Sequence, residues 1–144
     1  MTKAQETADA VGRFIGEGDL LARHLGVKLD EIHPGYARCT MTVRPDMSNA
    51  AAIGHGGATF ALADTAFAYA CNSHNRIALA ANCTITFVGP AKIGDTLTAE
   101  AVETVLVRRS GVCDVTVTNQ AGEIVALFRG HSRQIEGHLA PLDP

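Results

Sequence analysis

The sequence has no tryptophan and few other aromatic residues, only five phenylalanines and two tyrosines in 144 residues. Its charges nearly balance, because 12 Lys and Arg residues face 15 Asp and Glu residues, for a formal charge of −3. Without a basic excess we do not expect a nucleic-acid partner. The length and a hydrophobic content of 47% indicate one globular domain, which we assign to residues 1–136, followed by a frayed tail at 137–144.

The chain also lacks the features of exported and membrane proteins. Residues 1–6 lead into a polar amphipathic segment, whereas a secretory signal has a basic start and an apolar run. No apolar run reaches the roughly 20 residues that a membrane span needs. The four cysteines form no C-x-x-C pair and are widely spaced, at Cys39, Cys71, Cys83 and Cys113. We therefore expect reduced, buried thiols in a cytoplasmic protein, without a disulfide framework or a membrane partner.

Several motifs of catalysis and ligand binding are missing as well. The segment 54–57, Gly-His-Gly-Gly, resembles an α/β-hydrolase oxyanion loop, but no G-x-S-x-G nucleophile elbow follows it. It has neither the G-x-G-x-x-G spacing nor the Gly-Lys-Ser/Thr of a P-loop. No H-x-x-x-H or H-E-x-x-H arrangement occurs among the six histidines, which are His24, His33, His55, His74, His131 and His138. We therefore expect no metal and no cofactor.

The most informative stretch that is present runs from residue 58 to residue 70. It is rich in Ala, apolar on nearly every side, and free of internal Gly and Pro, which predicts a helix. A helix that is apolar all round does not lie on a surface, and this one is too short to cross a bilayer. We therefore expect a core helix that the rest of the chain wraps.

Two polar features accompany this helix. His55, Gly56 and Gly57 open it, and glycines there let another group approach backbone N–H groups that have no intrahelical partner. Those amides lie at the positive end of the helix dipole and suit an oxyanion. Asp64 is the single Asp, Glu, Lys or Arg residue between Met47 and Asn75. A carboxylate in so apolar a setting is costly unless it is paired or functional, and its pKa is open to tuning.

The remaining pattern predicts short helices and a sheet. Residues 7–14 and 20–25 have amphipathic patterns, and we interpret them as a lid or packing arm. Alternating apolar residues and marked turns predict strands on both sides of the central helix, at 27–32, 36–43, 77–87, 95–107, 112–119 and 124–135. This order predicts an α+β fold in which an antiparallel sheet of five to six strands wraps one long helix.

The motif Asn49-x5-His55-Gly56-Gly57-x6-Asp64, together with residues 80–87 and 94–99, resembles the hotdog-fold acyl-CoA thioesterases. Within that superfamily, residues 62–73 and 125–130 are similar to the phenylacetate-degradation, or PaaI-type, thioesterases. The likeness extends from about residue 14 to residue 135. It implies a hotdog fold that hydrolyses aryl-acetyl or hydroxylated aryl-acetyl thioesters of coenzyme A, in an oligomer built from dimers.

The residues themselves can support that chemistry. Thioester hydrolysis needs a carboxylate that attacks the carbon or activates water, for which we assign Asp64, and donors for the carbonyl oxygen, for which we assign Gly56 and Gly57. At about 1.5 Å per residue, Asp64 lies roughly 11 Å along the helix from Gly57, too far for both to act on one thioester. We therefore predict a homodimer whose subunits share their active sites. The family resemblance implies that such dimers pair further, into a tetramer.

Other candidate residues each have a structural alternative. The resemblance places Asn49 where it orients water or substrate, although it also fits a loop cap. His55 either binds the substrate carbonyl or caps the helix start. Thr65 either bonds the attacking water or satisfies its hydroxyl within the helix.

The resemblance also places Asn82 near the nucleophile, although an Asn bonded to the backbone at a strand end is the alternative. Phe60, Phe67 and Tyr69 either line an aryl pocket or belong to the core. Four basic residues on turns or strand ends are candidates for the coenzyme A phosphates, namely Lys92, Arg108, Arg109 and Arg129.

Two other functions stay open from the sequence. A hotdog enoyl-CoA hydratase or dehydratase needs a His and an acid over the enoyl chain, and only His55 lies near the helix start. A non-catalytic acyl-CoA-binding protein is the second alternative, against which the lone buried acid Asp64 argues.

Overall fold

The computed structural model describes residues 1–142. Two helices, α1 (Lys3–Gly18) and α2 (Leu20–His24), precede a hairpin of β1 (Lys28–His33) and β2 (Tyr36–Thr42). A 3₁₀ turn at Pro45–Met47 leads to the central helix α3 (Gly56–Asn72). Four strands complete the fold: β3 (Ala78–Phe87), β4 (Thr96–Val107), β5 (Ser110–Thr118) and β6 (Ile124–Gln134). None of the helices in this part of the chain is long and apolar enough to cross a membrane.

The six strands form one antiparallel sheet in the order β1-β2-β4-β5-β6-β3, with α3 against one face. Alternation explains which face is covered: in β5, Cys113, Val115 and Val117 are buried, and the residues between them are half-buried. The predicted α+β fold with one wrapped helix is therefore confirmed, and each predicted strand is present within a few residues of its predicted ends.

Helix α1 is longer than the predicted helix at 7–14. Thr2 caps it by accepting the Gln5 N–H (3.1 Å), and it continues through Gly12 and Gly16 to Gly18. A side chain at Gly12 would meet Leu29 at 3.0 Å, so the small residue lets β1 pack closely against α1. The propensity argument against glycine in a helix was therefore overridden by a tertiary contact.

The segment after β6 differs from the expected frayed tail. Asn75 holds it through two hydrogen bonds, donating to the Ala140 carbonyl (3.0 Å) and accepting the Ala140 N–H (2.8 Å). Ala140 is buried, so the chain is docked at least as far as this residue. The last two residues of the predicted tail, 143 and 144, lie outside the described residues.

Both ends of α3 are fixed against the sheet. At its carboxyl end, the Asn72 side chain bonds both the N–H (2.9 Å) and the carbonyl (3.2 Å) of Ala78, at the start of β3. His74 then bonds the nearly buried Glu103 carboxylate of β4 (2.8 Å). At its amino end, α3 begins beside Phe87, where β3 ends. The two ends of α3 thus lie beside the two ends of the edge strand β3.

Candidate active site

His55 caps the start of α3 and explains one of the two glycines that follow it. Its backbone is extended (φ −64°, ψ 133°), and its ring Nδ1 accepts the Gly57 N–H at 2.8 Å. A Cβ at Gly57 would lie 2.9 Å from that Nδ1, so a glycine is needed to admit the ring. Because Nδ1 is an acceptor here, the neutral ring carries its proton on Nε2, which makes His55 a hydrogen-bond donor towards its exposed side.

Gly56 provides the available backbone donor. Among the residues that the structure describes, no acceptor lies within hydrogen-bond distance of its N–H, whereas the Gly57 N–H is taken by His55. A Cβ at Gly56 would approach the Phe87 ring to 3.0 Å, so this glycine admits the end of β3. The predicted pair of amides is thus reduced to one free N–H at the positive end of the helix dipole.

Asp64 is half-buried in the middle of α3. Burial raises the pKa of its carboxyl group above the ordinary 3.8, and the nearby charge of Asp19 raises it further. No hydrogen bond within residues 1–142 offsets these two effects. A carboxylate held in this way is a better proton acceptor than an ordinary aspartate, as a general base or nucleophile requires.

The side of α3 that carries Asp64 is incompletely covered by its own chain. Helical spacing places Gly57, Ala61, Asp64 and Ala68 on one stripe, and all four keep some exposure, while most of the helix is fully buried. Gly57 and Asp64 are separated along that stripe by about 11 Å. The Gly56 N–H and Asp64 of one subunit are therefore placed too far apart to meet at a single carbonyl carbon.

Asn49 and Thr65 form the hydrogen bonds expected if their roles are structural. Asn49 Oδ1 accepts the N–H groups of Ala51 (2.9 Å) and Ile53 (3.4 Å), which caps the loop before α3. Asn49 nevertheless lines a groove beside Gly56, so its position is consistent with both roles. The Thr65 hydroxyl is buried and donates to the Ala61 carbonyl at 2.7 Å, which satisfies it within the helix.

The aryl-pocket role is corrected for the most buried of its candidates. Phe67 is 1% exposed, packs on Phe128, and lies where a Cβ at Gly130 would be 2.7 Å from its ring. Phe60 is half-buried and also packs edge-on against Phe128. Phe67 and Tyr69, which is 4% exposed, therefore belong to the core of the subunit, whereas Phe60 keeps both alternatives.

Asn82 does not lie beside Asp64 of its own subunit. A bulge in β3 shifts the register between Ala80 and Asn82, and Asn82 then pairs with the exposed His131 on the outer face of the sheet. Cys83, the next residue, faces α3 instead, and Asp64 contributes to the raised pKa of its thiol after burial, the main cause.

The clefts beside the start of α3 were not predicted from the sequence. One, of about 300 Å³, lies between α2 and α3 and is lined by Leu21, Leu25, Asp46, Met47, Ser48, His55, Gly57, Ala58 and Ala61. A second, of about 180 Å³, lies on the other side of the helix start, beside Gly56 and Phe87. The only sequence signal for the first was the amphipathic pattern at 20–25, which predicted a packing arm without its position.

The four basic candidates for the coenzyme A phosphates differ in whether a carboxylate already pairs with their charge. Arg129 is bonded to Asp114 through two nitrogens (2.6 and 3.0 Å), so its charge is already paired. Arg108 and Arg109 are exposed on the β4–β5 turn, and Lys92 is exposed on the β3–β4 turn. Lys92 also lines a polar cavity that adjoins the groove beside Gly56.

Comparison with known proteins agrees with this arrangement. Residues 53–126 match the family described as Thioesterase superfamily. The chain is 47% identical over 123 residues to the acyl-coenzyme A thioesterase PaaI of Escherichia coli, covering 85% of this chain and 88% of the relative.

Solved structures give the same result. The E. coli PaaI protein from the phenylacetic acid degradation operon superposes with a TM-score of 0.92 at 43% identity, covering 94% of this chain and 99% of that one. A Streptococcus mutans protein solved with acetyl CoA bound matches with a TM-score of 0.75 at 26% identity, covering 78% and 90% of the two chains. With its hotdog fold, the helix-start glycines and the lone carboxylate, the chain belongs to the thioesterase superfamily and is an acyl-CoA thioesterase of the PaaI type.

Proposed function

We propose that this enzyme hydrolyses aryl-acetyl thioesters of coenzyme A, such as phenylacetyl-CoA or hydroxyphenylacetyl-CoA, with Asp64 of one subunit acting together with the Gly56 N–H of another. The observation that carries the proposal is the combination of a half-buried carboxylate of raised pKa on the partly uncovered stripe of α3 and a backbone N–H without an acceptor at the start of the same helix.

The reaction follows from these two groups. In the general-base form, Asp64 takes a proton from water, and the oxygen forms a bond to the thioester carbon. The carbonyl electron pair moves to the oxygen, where the Gly56 N–H and the helix dipole stabilise the negative charge. The carbonyl re-forms, the carbon–sulfur bond breaks, and the thiolate leaves and takes the proton that Asp64 had accepted from water. In the nucleophilic form, an Asp64 oxygen attacks the thioester carbon and the thiolate leaves, which gives a mixed anhydride of Asp64 and the acyl group. Water then hydrolyses this anhydride, which frees the carboxylic acid and supplies the proton that the thiolate takes.

Two features support a dimer with shared sites. The stripe that carries Asp64 is apolar apart from that residue and is not fully covered by its own chain. The edge strand β3 beside it has an unpaired side available for another strand. A two-fold axis between two α3 helices would bring Gly56 of each near Asp64 of the other.

Pairing of two dimers is supported by a second surface. The outer face of β4 exposes Val102, Val105 and Val107, apolar side chains that cannot all be covered by a contact along β3. Apolar patches of this kind mark protein contacts. We therefore propose a homotetramer built from two such dimers.

The acyl group is proposed from the relatives. The E. coli PaaI protein comes from a phenylacetic acid degradation operon, and the S. mutans protein holds acetyl CoA. The former covers nearly the whole of this chain and is the more similar of the two, which favours an aryl-acetyl substrate over an acetyl group.

The test is release of free thiol from a panel of acetyl-, crotonyl-, phenylacetyl- and 4-hydroxyphenylacetyl-CoA. We expect kcat/KM to be highest for the two aryl-acetyl thioesters, and Asp64→Asn to lower kcat by about 10²–10⁴-fold, the usual contribution of a general base. An Asp64→Asn enzyme with unchanged kcat would exclude the role of Asp64. Crotonyl-CoA that gains water without releasing thiol would indicate the hydratase, and binding without turnover would indicate the acyl-CoA-binding protein.

A single turnover in heavy-oxygen water separates the two forms of the mechanism. Label in the Asp64 carboxylate indicates the anhydride, because water attacking that intermediate at the aspartyl carbon leaves its oxygen on the enzyme. Label found only in the carboxylic acid product, with no acyl-enzyme trapped on acid quench, indicates general-base activation of water.

A further inference from the structure

Two clefts of different chemistry flank the first turn of α3. The cleft between α2 and α3, about 300 Å³ and here called the α2 cleft, ends at His55 and Gly57. The groove on the opposite side, about 180 Å³ and here called the β3 groove, contains Gly56, Asn49 and Phe87. A thioester whose oxygen meets the Gly56 N–H lies between them, so each cleft is available to one arm of the substrate.

The α2 cleft suits an apolar group. Its walls are mainly aliphatic, with Leu21 and Leu25 from the N-terminal arm and Ala58 and Ala61 from α3. Leu21 is 63% exposed, so much of its apolar surface is available to a group bound in the cleft. The volume is at the lower end for ligand pockets and fits an aryl or short acyl group better than a long fatty chain.

The β3 groove continues into a polar region. It shares Gly89, Pro90 and Val125 with a neighbouring cavity of about 300 Å³, whose lining also includes Lys92 and two carboxylates, Asp95 and Glu123. These carboxylates accept hydrogen bonds from the side-chain amides of Gln120 (2.9 Å) and Asn119 (3.2 Å), so the exposed Lys92 ammonium is the charge that phosphates at the end of a long polar arm would meet. The other cleft has no Lys or Arg in its lining.

The arm that forms the α2 cleft is fixed in place. Asp19 caps α2 by accepting the Ala22 N–H at 3.1 Å, and Arg44 donates to the His24 carbonyl at the other end (3.0 Å). The charge of Asp19 reaches Asp64 strongly enough to raise the pKa of that carboxyl group, so α2 runs close to the catalytic stripe of α3.

We propose that the α2 cleft holds the acyl group of the thioester, that Leu21 sets the size of acyl group accepted, and that the coenzyme A arm leaves through the β3 groove towards Lys92. This inference rests on the proposed hydrolysis of acyl-CoA. It makes the N-terminal arm the element that selects the substrate, separate from the residues that carry out the chemistry.

The test compares kcat/KM for phenylacetyl-CoA and acetyl-CoA in four variants. Leu21→Trp fills the α2 cleft and is expected to lower the phenylacetyl-to-acetyl ratio at least about tenfold, as a lost apolar subsite does. Leu21→Ala enlarges the cleft and is expected to raise kcat/KM for a thioester bulkier than phenylacetyl, naphthylacetyl-CoA, which is assayed with this variant and the wild type. Lys92→Ala is expected to raise KM for both substrates by the same factor. Leu20→Ala, 73% exposed and outside the cleft, is the matched control and should leave the ratio unchanged.

Two results would overturn the assignment. One is a Leu21→Trp enzyme that loses activity equally on both substrates, and the other is a Lys92→Ala enzyme whose phenylacetyl-to-acetyl ratio changes. Dissociation constants for the same two thioesters, measured in the Asp64→Asn background, give a readout without turnover. If no acyl-CoA is hydrolysed but Leu21→Trp still weakens phenylacetyl-CoA binding selectively, the proposed function fails and the cleft assignment stands.

Discussion

The free amide of Gly56 makes the sharpest prediction about this active site. Gly56→Pro removes the N–H and leaves the rest of the helix start intact, because proline is accepted at the first helical position, where the amide has no intrahelical partner. His55 already has an extended backbone (φ −64°, ψ 133°), the conformation that a residue before proline prefers. The substitution therefore removes one donor without unwinding α3.

The expected size of the effect follows from the hydrogen bonds. Because the Gly57 N–H is held by His55 at 2.8 Å, the Gly56 N–H is the one backbone donor free at this helix start among the described residues. Removing one donor of this kind lowers kcat by about 10²–10³-fold, or about 2.7–4 kcal/mol. The effect should be on kcat with little change in KM, since the bond strengthens as the oxyanion develops.

Gly56→Ala is the matched control. Its Cβ would meet the Phe87 ring at 3.0 Å, as that of proline would, but it keeps the N–H. The assay is steady-state thiol release by both variants, with thermal unfolding measured in parallel to show that both fold. The ratio of the two kcat values isolates the amide from the crowding at Phe87.

Equal kcat values for Gly56→Pro and Gly56→Ala would refute the reasoning. That result would mean that the carbonyl oxygen is stabilised elsewhere, with the His55 Nε2–H as the nearest alternative donor. A loss confined to KM would also contradict it, because it would describe an interaction as strong in the ground state as in the transition state.

Three further predictions concern the assembly and the titrating groups. Mixing Asp64→Asn subunits with Gly56→Pro subunits, each inactive alone, should restore about a quarter of wild-type activity. Half of the dimers are then mixed, and each mixed dimer contains one intact shared site and one inactive site. No recovery of activity would indicate active sites within single subunits. The acid limb of the pH profile of kcat/KM should have its midpoint above pH 3.8, because the pKa of Asp64 is raised. Asp19→Asn, which keeps the cap of α2, should move this midpoint to lower pH by removing a repulsive charge. An unmoved midpoint would exclude an effect of Asp19 on Asp64. The hydrogen bond to Glu103 raises the pKa of His74 in the folded state, so its contribution to stability is complete below the unfolded pKa near 6.5 and is lost as pH rises through the folded value. Chemical unfolding at several pH values should show this fall, and His74→Gln should flatten it.

Much of the fold follows from local pattern. The alternation in residues 36–43 predicted strand β2, and the apolar run at 58–70 predicted α3, because burial on one face or all round imposes a period that the sequence must carry. The isolated acid Asp64 and the glycines before the helix were visible for the same reason, as exceptions to that pattern.

The local pattern did not decide which polar groups meet. The bulge between Ala80 and Asn82 reverses the side on which Asn82 projects, and a single-residue change in strand register is invisible in alternation alone. Phe60 and Phe67 share a helix with Asp64, yet their rings pack towards Phe128, because helical spacing does not say what lies opposite each face.

What the sequence by itself determined is the set of elements and the two chemical groups of α3, since these depend on the order of residue types along a few turns or a single strand. Only the tertiary structure decided that the end of β3 packs against Gly56 and that α2 and α3 enclose a cleft. Those outcomes depend on where side chains distant in sequence come together, because a hydrogen bond or a cavity exists only at distances of a few ångströms.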